Sequence, residues 1–394
     1  MPRYFLSLII LSLIACCIEV DISVPSFPDM GHYFNVSESI IQMTIAYNFL
    51  GFCLGALVYG PLSDSYGRRP IMLWGNGILL IGAMGCVLAP SIPFLLTARF
   101  IQGIGAATSA VVAFAMVIDA YPEKGKSAAL LGIMNAVITS LMALAPIVGG
   151  FINEAVGWRG NYGIVAVICL LSWVFMVSVL PETKKTKDPF QPTQIKKDYI
   201  KLLTSFTFIS ASLVPSLLYA CYLSFITQAS FLYTETFQLT IMEYVLHQAI
   251  ILVTFCMVSL MSGRITQKLG ARFTVITGMC ISIFASISMA VVSIAAPTSP
   301  YLLTLFMTIT CLGSAIYYPI TFAASLEIFP KIKGTASSVI MSMRSVICFA
   351  SVGLTGLLYN GDPSRIAFLL LGILLVSVAF TFVILKTAQF SRQS

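Results

Sequence analysis

Charge is what this sequence has least of. Only 9% of its 394 residues are Asp, Glu, Lys or Arg, against about 25% in a soluble globular chain, which excludes a water-soluble domain of this length. It has two histidines, no Cys-x-x-Cys pair and no HExxH, so the common metal sites have no donors in the spacing they need. It also lacks a Walker loop and a dinucleotide-type glycine run, and the GIG at 103–105 sits in an apolar stretch where it serves helix packing. Nucleotide-driven transport and cofactor chemistry are therefore not expected. No enzyme motif, cofactor or metal site emerges. Ten cysteines are present, each inside an apolar run, where cysteine acts as a small packing residue.

What the sequence has in abundance is apolar length. It is 58% hydrophobic with a mean hydropathy of +0.95. Spans need about 20 apolar residues, and twelve such runs can be cut, at 4–27, 39–61, 70–89, 93–118, 127–151, 161–180, 206–231, 242–261, 273–295, 301–326, 335–358 and 366–386. Runs this long and unbroken are helical, because barrel strands are about 10 residues and alternate. The expected class is an all-α integral membrane protein of twelve transmembrane helices.

The few positive charges set orientation. With the N-terminus inside, eighteen of 22 Lys and Arg fall in inside segments, only Arg159 and Arg365 fall outside, and Arg99 and Arg344 lie within spans. Both termini are thus expected to be cytoplasmic, and the net charge of +7 needs no nucleic acid to explain it. LIAC at Leu13–Cys16, following Arg3, also fits a lipoprotein cleavage box. Cleavage there would remove most of the first span and break the charge alternation, so the span is read as retained.

One long polar segment, Pro181–Lys201, divides the chain. This gives a bundle at 1–180, a cytoplasmic linker at 181–205 and a second bundle at 206–394. An internal repeat supports the division: DAYPEKGKSA from Asp119 matches EIFPKIKGTA from Glu327 at an offset of 208, including Pro122/Pro330, Ser127/Thr335 and Ala128/Ala336. SDSYGRR is echoed by TQKLGAR, with Gly67/Gly270 and Arg69/Arg272 in register. Two related six-helix halves are the plan of secondary transporters.

Several segments carry a family resemblance. GPLSDSYGRRP, Gly60–Pro70, resembles the signature loop between helices two and three of the major facilitator superfamily (MFS). ARFIQGIGAA, Ala98–Ala107, and APIVGG, Ala145–Gly150, are similar to the helix-four and helix-five segments of its drug:proton antiporters. DISVPSFP, Asp21–Pro28, and EIFPKIKGTASS, Glu327–Ser338, resemble the Bcr/CflA-type multidrug exporters. The resemblance implies the MFS fold, no cofactor, and proton-coupled antibiotic efflux across a bacterial inner membrane, with a small molecule and protons as partners. It also implies a cytoplasmic latch built on Asp64, Arg68 and Asp119, with Gly60 and Gly67 shaping its loop. Pro146, Gly149 and Gly150 belong to the antiporter segment, but Ala145 stands where the family pattern has glycine. Asp64 and Arg68 are also spaced as a helical ion pair, and Pro146 removes an internal helix hydrogen bond.

The charges inside spans are the candidate coupling site, because a charge in hydrocarbon costs at least about 2.5–3.5 kcal/mol. If span one exits near Pro28 and span four enters near Pro93, Asp21 and Arg99 lie at about the same depth of 9–10 Å. The resemblance places helices one and four side by side, so the two are expected to pair and to exchange protonation for substrate. Glu19, turned about 200° from Asp21 on a helix, is left to meet Arg344 near the midplane, while Arg344 faces Glu19, water or an anionic group of the substrate. Gln102, Asn48, Asn135, Tyr219, Tyr222 and Tyr317, with Arg344, are the expected cavity residues, and Gln228 is a further polar residue in a span. Glu243 and His247 read as a surface pair at i,i+4. The expected protein is a monomeric exporter of drugs or metabolites; a proton-coupled importer and a transport-inactive sensor are the alternatives.

Overall fold

The computed structural model describes residues 4–121, 123–184, 186 and 189–386, with the side chains of 124–129, 135, 139 and 331 left aside. Among the described residues there are helices and turns but no strand. Arg3, Pro122, the Ser127 and Ala128 side chains of the repeat, and the Asn135 side chain lie outside the described set.

Fourteen α-helices follow in order: α1 (Phe5–Asp21), α2 (Phe27–Phe34), α3 (Glu38–Tyr66), α4 (Arg68–Val87), α5 (Ile92–Ala120), α6 (Lys124–Val156), α7 (Trp158–Val179), α8 (Pro192–Leu203), α9 (Phe206–Phe231), α10 (Ile241–Leu269), α11 (Ala271–Ala295), α12 (Pro300–Glu327), α13 (Lys333–Leu358) and α14 (Pro363–Leu385). Among the described residues twelve helical segments are long and apolar enough to cross a bilayer, matching the expected number. The first runs Phe5–Phe34, because a short 3-10 turn at Val24–Ser26 carries α1 on into α2. Pro25 and Pro28 sit at the first turns of the two short elements, where a missing N–H leaves no hydrogen bond broken.

The chain forms two compact units. The first comprises Met1–Asn35 and Met43–Tyr199; the second comprises Val36–Gln42 and Ile200–Ser394. The boundary falls inside the polar segment read as a linker. That segment is not structureless: α8 forms there, and Tyr199 donates from its hydroxyl to Leu57 O at 2.7 Å. Burial raises the Tyr199 phenol to about 12.

The units share one packing scheme. In the first, α4 packs on α5 and α7, and α1 on α5, α6 and α7; in the second, α11 packs on α12 and α14, and α9 on α12, α13 and α14. Each partner occupies the same ordinal place in its half. The two turn glycines of the repeat, Gly67 and Gly270, have φ of +107° and +81°, a region that favours glycine. Each caps the start of the next helix.

Helices in the first unit approach to backbone contact. A Cβ on Gly103 of α5 would stand 1.9 Å from Asn48 O of α3, and one on Gly149 of α6 would stand 2.1 Å from Ile22 O. Without a hydrophobic driving force between helices in lipid, small residues at such seams are what permit dispersion packing.

Candidate functional site

Arg99, on the second turn of α5, has no solvent exposure, and Glu19 of α1 is 1% exposed. Arg99 Nη1 meets Glu19 Oε2 at 2.8 Å in an ion pair, and Nη1 also reaches Glu19 O at 3.2 Å and Gln102 Oε1 at 2.8 Å. Arg99 Nε donates to Thr44 O at 3.3 Å. Asn48 Nδ2 donates to both Glu19 oxygens at 3.0 Å and to Arg99 O at 3.3 Å. The Tyr162 ring lies 5.7 Å from Arg99 Cζ. Two buried donors remain without an acceptor in this cluster, Arg99 Nη2 and Gln102 Nε2. A paired, hydrogen-bonded charge is the form in which a charge tolerates burial.

The ion pair expected between Asp21 and Arg99 is replaced by Glu19–Arg99. Asp21 is 3% exposed and ends α1 two residues later, about 200° round the helix. Depth alone did not choose between them. The azimuth of α1 did, and an apolar helix displays no azimuth in its sequence. Glu19, which sequence left for Arg344, is thus engaged by Arg99 within its own unit. Asn48 and Gln102, expected to line a cavity, are instead buried (1% and 0% exposed) and hold the pair.

The other expected residues separate into two groups. Tyr317 is buried at 1% exposure, with its ring against the α11 backbone at Gly278, so it is packing core. Tyr222 is also buried, while Tyr219 is half-buried and lies over Arg344. Gln228 is buried, donates to Thr355 O at 3.1 Å and accepts from Gln42. Glu243 turns back into a capping box with Thr240, and His247 Nδ1 meets Thr304 Oγ1 at 2.7 Å. The surface pair expected between them gives way to these two contacts, since a cap satisfies orphan N–H groups that an exposed ion pair does not.

At the other end of the first unit lies the charge network. Arg68 Nη2 meets Asp64 Oδ1 at 2.8 Å and Arg68 Nε meets Asp119 Oδ2 at 2.9 Å. Ser63 Oγ accepts from Arg68 Nη1 at 2.6 Å and donates to Gly60 O at 2.9 Å. Sequence reasoning missed two members. Lys184 Nζ meets Asp64 Oδ1 at 2.9 Å, and Glu182 accepts from the backbone N–H of Arg68 and Arg69 at 3.0 and 3.2 Å. Glu182 Oε1 also accepts from the N–H groups of Thr183 and Lys184. The carboxylate thus caps α4 from more than a hundred residues away, where Gly67 has no side chain to do so. Loss of a cap costs about 0.5–2 kcal/mol, and solvent access at Glu182 puts Glu182→Ala toward the lower end. A drop of a few degrees in the unfolding midpoint in detergent is expected, with Thr186→Ala, on the same exposed segment, unchanged.

Pro146, Gly149 and Gly150 are all buried in α6, with Gly149 at the close crossing of α1 described above. Among the described residues the loop network has no counterpart in the second unit, where Gln267 and Ala271 stand at the repeat positions of Asp64 and Arg68.

Two six-helix units of the same packing scheme, with a buried ion pair inside the spans about two turns into α5, follow the plan of a secondary transporter of the membrane. The family model described as the Major Facilitator Superfamily matches residues 9–352, and the chain belongs to that family. It is 25% identical over 345 residues to the chloramphenicol resistance protein CraA of Acinetobacter baumannii, covering 86% of this chain and 82% of that one. It is 24% identical over 340 residues to a bicyclomycin resistance protein homolog of Haemophilus influenzae, covering 83% and 82%. It is 27% identical over 327 residues to the multidrug resistance protein MdtL of Citrobacter koseri, covering 82% and 80%. The fold matches the partially occluded inward-open xylose transporter XylE from E. coli with a TM-score of 0.75 at 15% identity, over 98% of this chain and 99% of that one. A D-xylose–proton symporter matches with a TM-score of 0.74 at 16% identity, over 97% of each chain.

Proposed function

We propose that the protein exports small, largely apolar organic compounds across a bacterial cytoplasmic membrane in exchange for protons, by alternating access and as a monomer. The observation that carries the reading is the Glu19–Arg99 ion pair, closed from solvent and braced by amides inside the spans. A structural helix contact between these helices could be made with apolar side chains at no electrostatic cost. Titrating one partner of such a pair changes its energy by several kcal/mol, which is enough to bias two conformations. Glu19 takes a proton from the outside and releases Arg99; return of the proton to the inside restores the pair. Substrate and proton then load in opposite conformations. The names of the relatives, resistance proteins against chloramphenicol, bicyclomycin and several drugs, support export as the direction. The Lys and Arg asymmetry supports cytoplasmic termini, which sets the Asp64–Arg68–Asp119 network on the cytoplasmic side as a latch.

Purified protein in proteoliposomes with an imposed pH gradient tests the reading. Chloramphenicol or another candidate substrate is expected to move against the proton gradient and to collapse it. Absence of proton-linked flux with every substrate tried favours a sensor or scaffold instead. Uptake with the proton, rather than exchange for it, favours an importer.

The latch has its own test. Half-exposed ion pairs of this kind contribute about 0–1 kcal/mol each, so they can break in every cycle. Asp64→Asn is expected to lower the transport rate by about tenfold, roughly the 1.4 kcal/mol of one such contact with its hydrogen bonds, with membrane levels unchanged. Equal rates for the variant and the parent remove the latch from the mechanism.

A further inference from the structure

The second unit holds one charge deep within a span. Arg344 lies eleven residues into α13, about 17 Å from its first residue by helical rise. Every other described charge of this unit lies in a connection or within two turns of a helix end. No described carboxylate forms an ion pair with Arg344. Its guanidinium carbon sits 4.7 Å from the centroid of the Tyr219 ring on α9, and Tyr318 of α12 stands beside it. Its Nε is closed from solvent and has no hydrogen-bond partner. Yet Arg344, Tyr219 and Tyr318 are each half-buried and keep some exposure. An arginine that keeps partial exposure in mid-span cannot turn its charge to hydrocarbon at tolerable energy, so the opening is to a polar space.

We infer that Arg344, Tyr219 and Tyr318 form an anion subsite of the substrate site, and that the substrates it selects are organic acids with a carboxylate on an aromatic or apolar body. The inference rests on the transport reading above and narrows its substrate class. Guanidinium matches carboxylate through a planar two-point fork. Here one face of that plane is taken by Tyr219 and Tyr318 accepts a hydrogen bond from the guanidinium, which leaves its other N–H groups for an incoming carboxylate. The two tyrosine rings supply the wall against which a flat apolar body packs. Phe255 and Phe322 extend that wall, at 6.4 and 6.3 Å from the Tyr318 ring. An Arg left without a protein anion is completed by an anion that arrives and departs. A resident carboxylate would hold the site shut to acids.

The test uses full-length purified protein in detergent and two probes of one shape, 2-naphthoate and neutral 2-naphthamide, with binding read by calorimetry. Naphthoate is expected to bind at least tenfold more tightly. Arg344→Gln is expected to erase the preference, and Arg344→Lys to keep part of it, since lysine retains the charge but loses the fork. Size-exclusion profiles establish that each variant is folded; should Arg344→Gln fail that check, the wild-type probe pair and Arg344→Lys decide. Equal affinity for the two probes, no saturable naphthoate binding, or a preference that survives in folded Arg344→Gln overturns the inference. Proton-linked flux of a neutral compound without any naphthoate preference sinks the subsite alone. Naphthoate selectivity without any proton-linked flux sinks the export reading and leaves an anion-binding site.

Discussion

Glu19→Gln is expected to reduce proton-driven transport to the level of empty vesicles at every pH, while the protein still reaches the membrane. Glutamine keeps the shape of the site and can still accept from Asn48 and Arg99, but it can neither carry a charge nor give up a proton. Arg99 is then a buried cation without its anion, and breaking a buried pair by removing one partner costs about 3–5 kcal/mol. The isosteric change is expected at the low end, read as a lowered unfolding midpoint. Asp21→Asn is the decisive comparison. With the ion pair made by Glu19, Asp21→Asn is expected to keep proton-coupled transport within a few-fold of the parent. An inactive Asp21→Asn beside an active Glu19→Gln would move the coupling proton to Asp21. A double variant, Glu19→Leu with Arg99→Met, adds a stability check. Removing both charges is expected to be less destabilising than removing Arg99 alone, because no unpaired charge remains, and it should still transport nothing.

The second large effect lies at the helix seams. Gly103→Ala puts a methyl 1.9 Å from Asn48 O, a backbone atom that cannot turn aside. The crossing of α3 and α5 must open, and with it the distances among Asn48, Glu19 and Arg99. Overpacking commonly costs 1–3 kcal/mol, and a clash with backbone belongs at or above the top of that range. Little folded protein is expected in the membrane, and Gly103→Leu should give none. Gly132→Ala on α6, which has nothing within 4 Å, is the matched control, with parental yield and activity. Parental yield from Gly103→Ala would mean that the crossing is looser than described.

The buried Glu19–Arg99 pair shows where reading a sequence stops. Arg99 and Glu19 stand out because a charge inside an apolar run is expensive, and no structure is needed to see that. The choice between Glu19 and Asp21 was not visible. Both lie on a helix that is apolar on every side, so the pattern carries depth but no direction. The same gap explains Asn48 and Gln102: their polarity marked them for a role, yet whether they line a space or brace a carboxylate depends on which way each helix is turned. Glu182 was hidden for another reason. Its contact with the start of α4 joins segments more than a hundred residues apart, and no local signal announces a cap delivered from that distance. Tyr317 and Tyr219 look alike in sequence, and only packing separated a core ring from one stacked on Arg344.

The sequence by itself determined the membrane class, the twelve spans and the positions of the charges within them. Those follow from hydrophobic length, the spread of Lys and Arg, and the energy of a charge in lipid, all of which are read along the chain. Only the tertiary structure decided which charge meets which, where backbones touch at glycine, and how the Asp64 network is extended by Lys184 and Glu182. Those depend on the rotation of each helix about its axis and on contacts across long stretches of chain, and a helix greasy all round leaves that rotation to its neighbours.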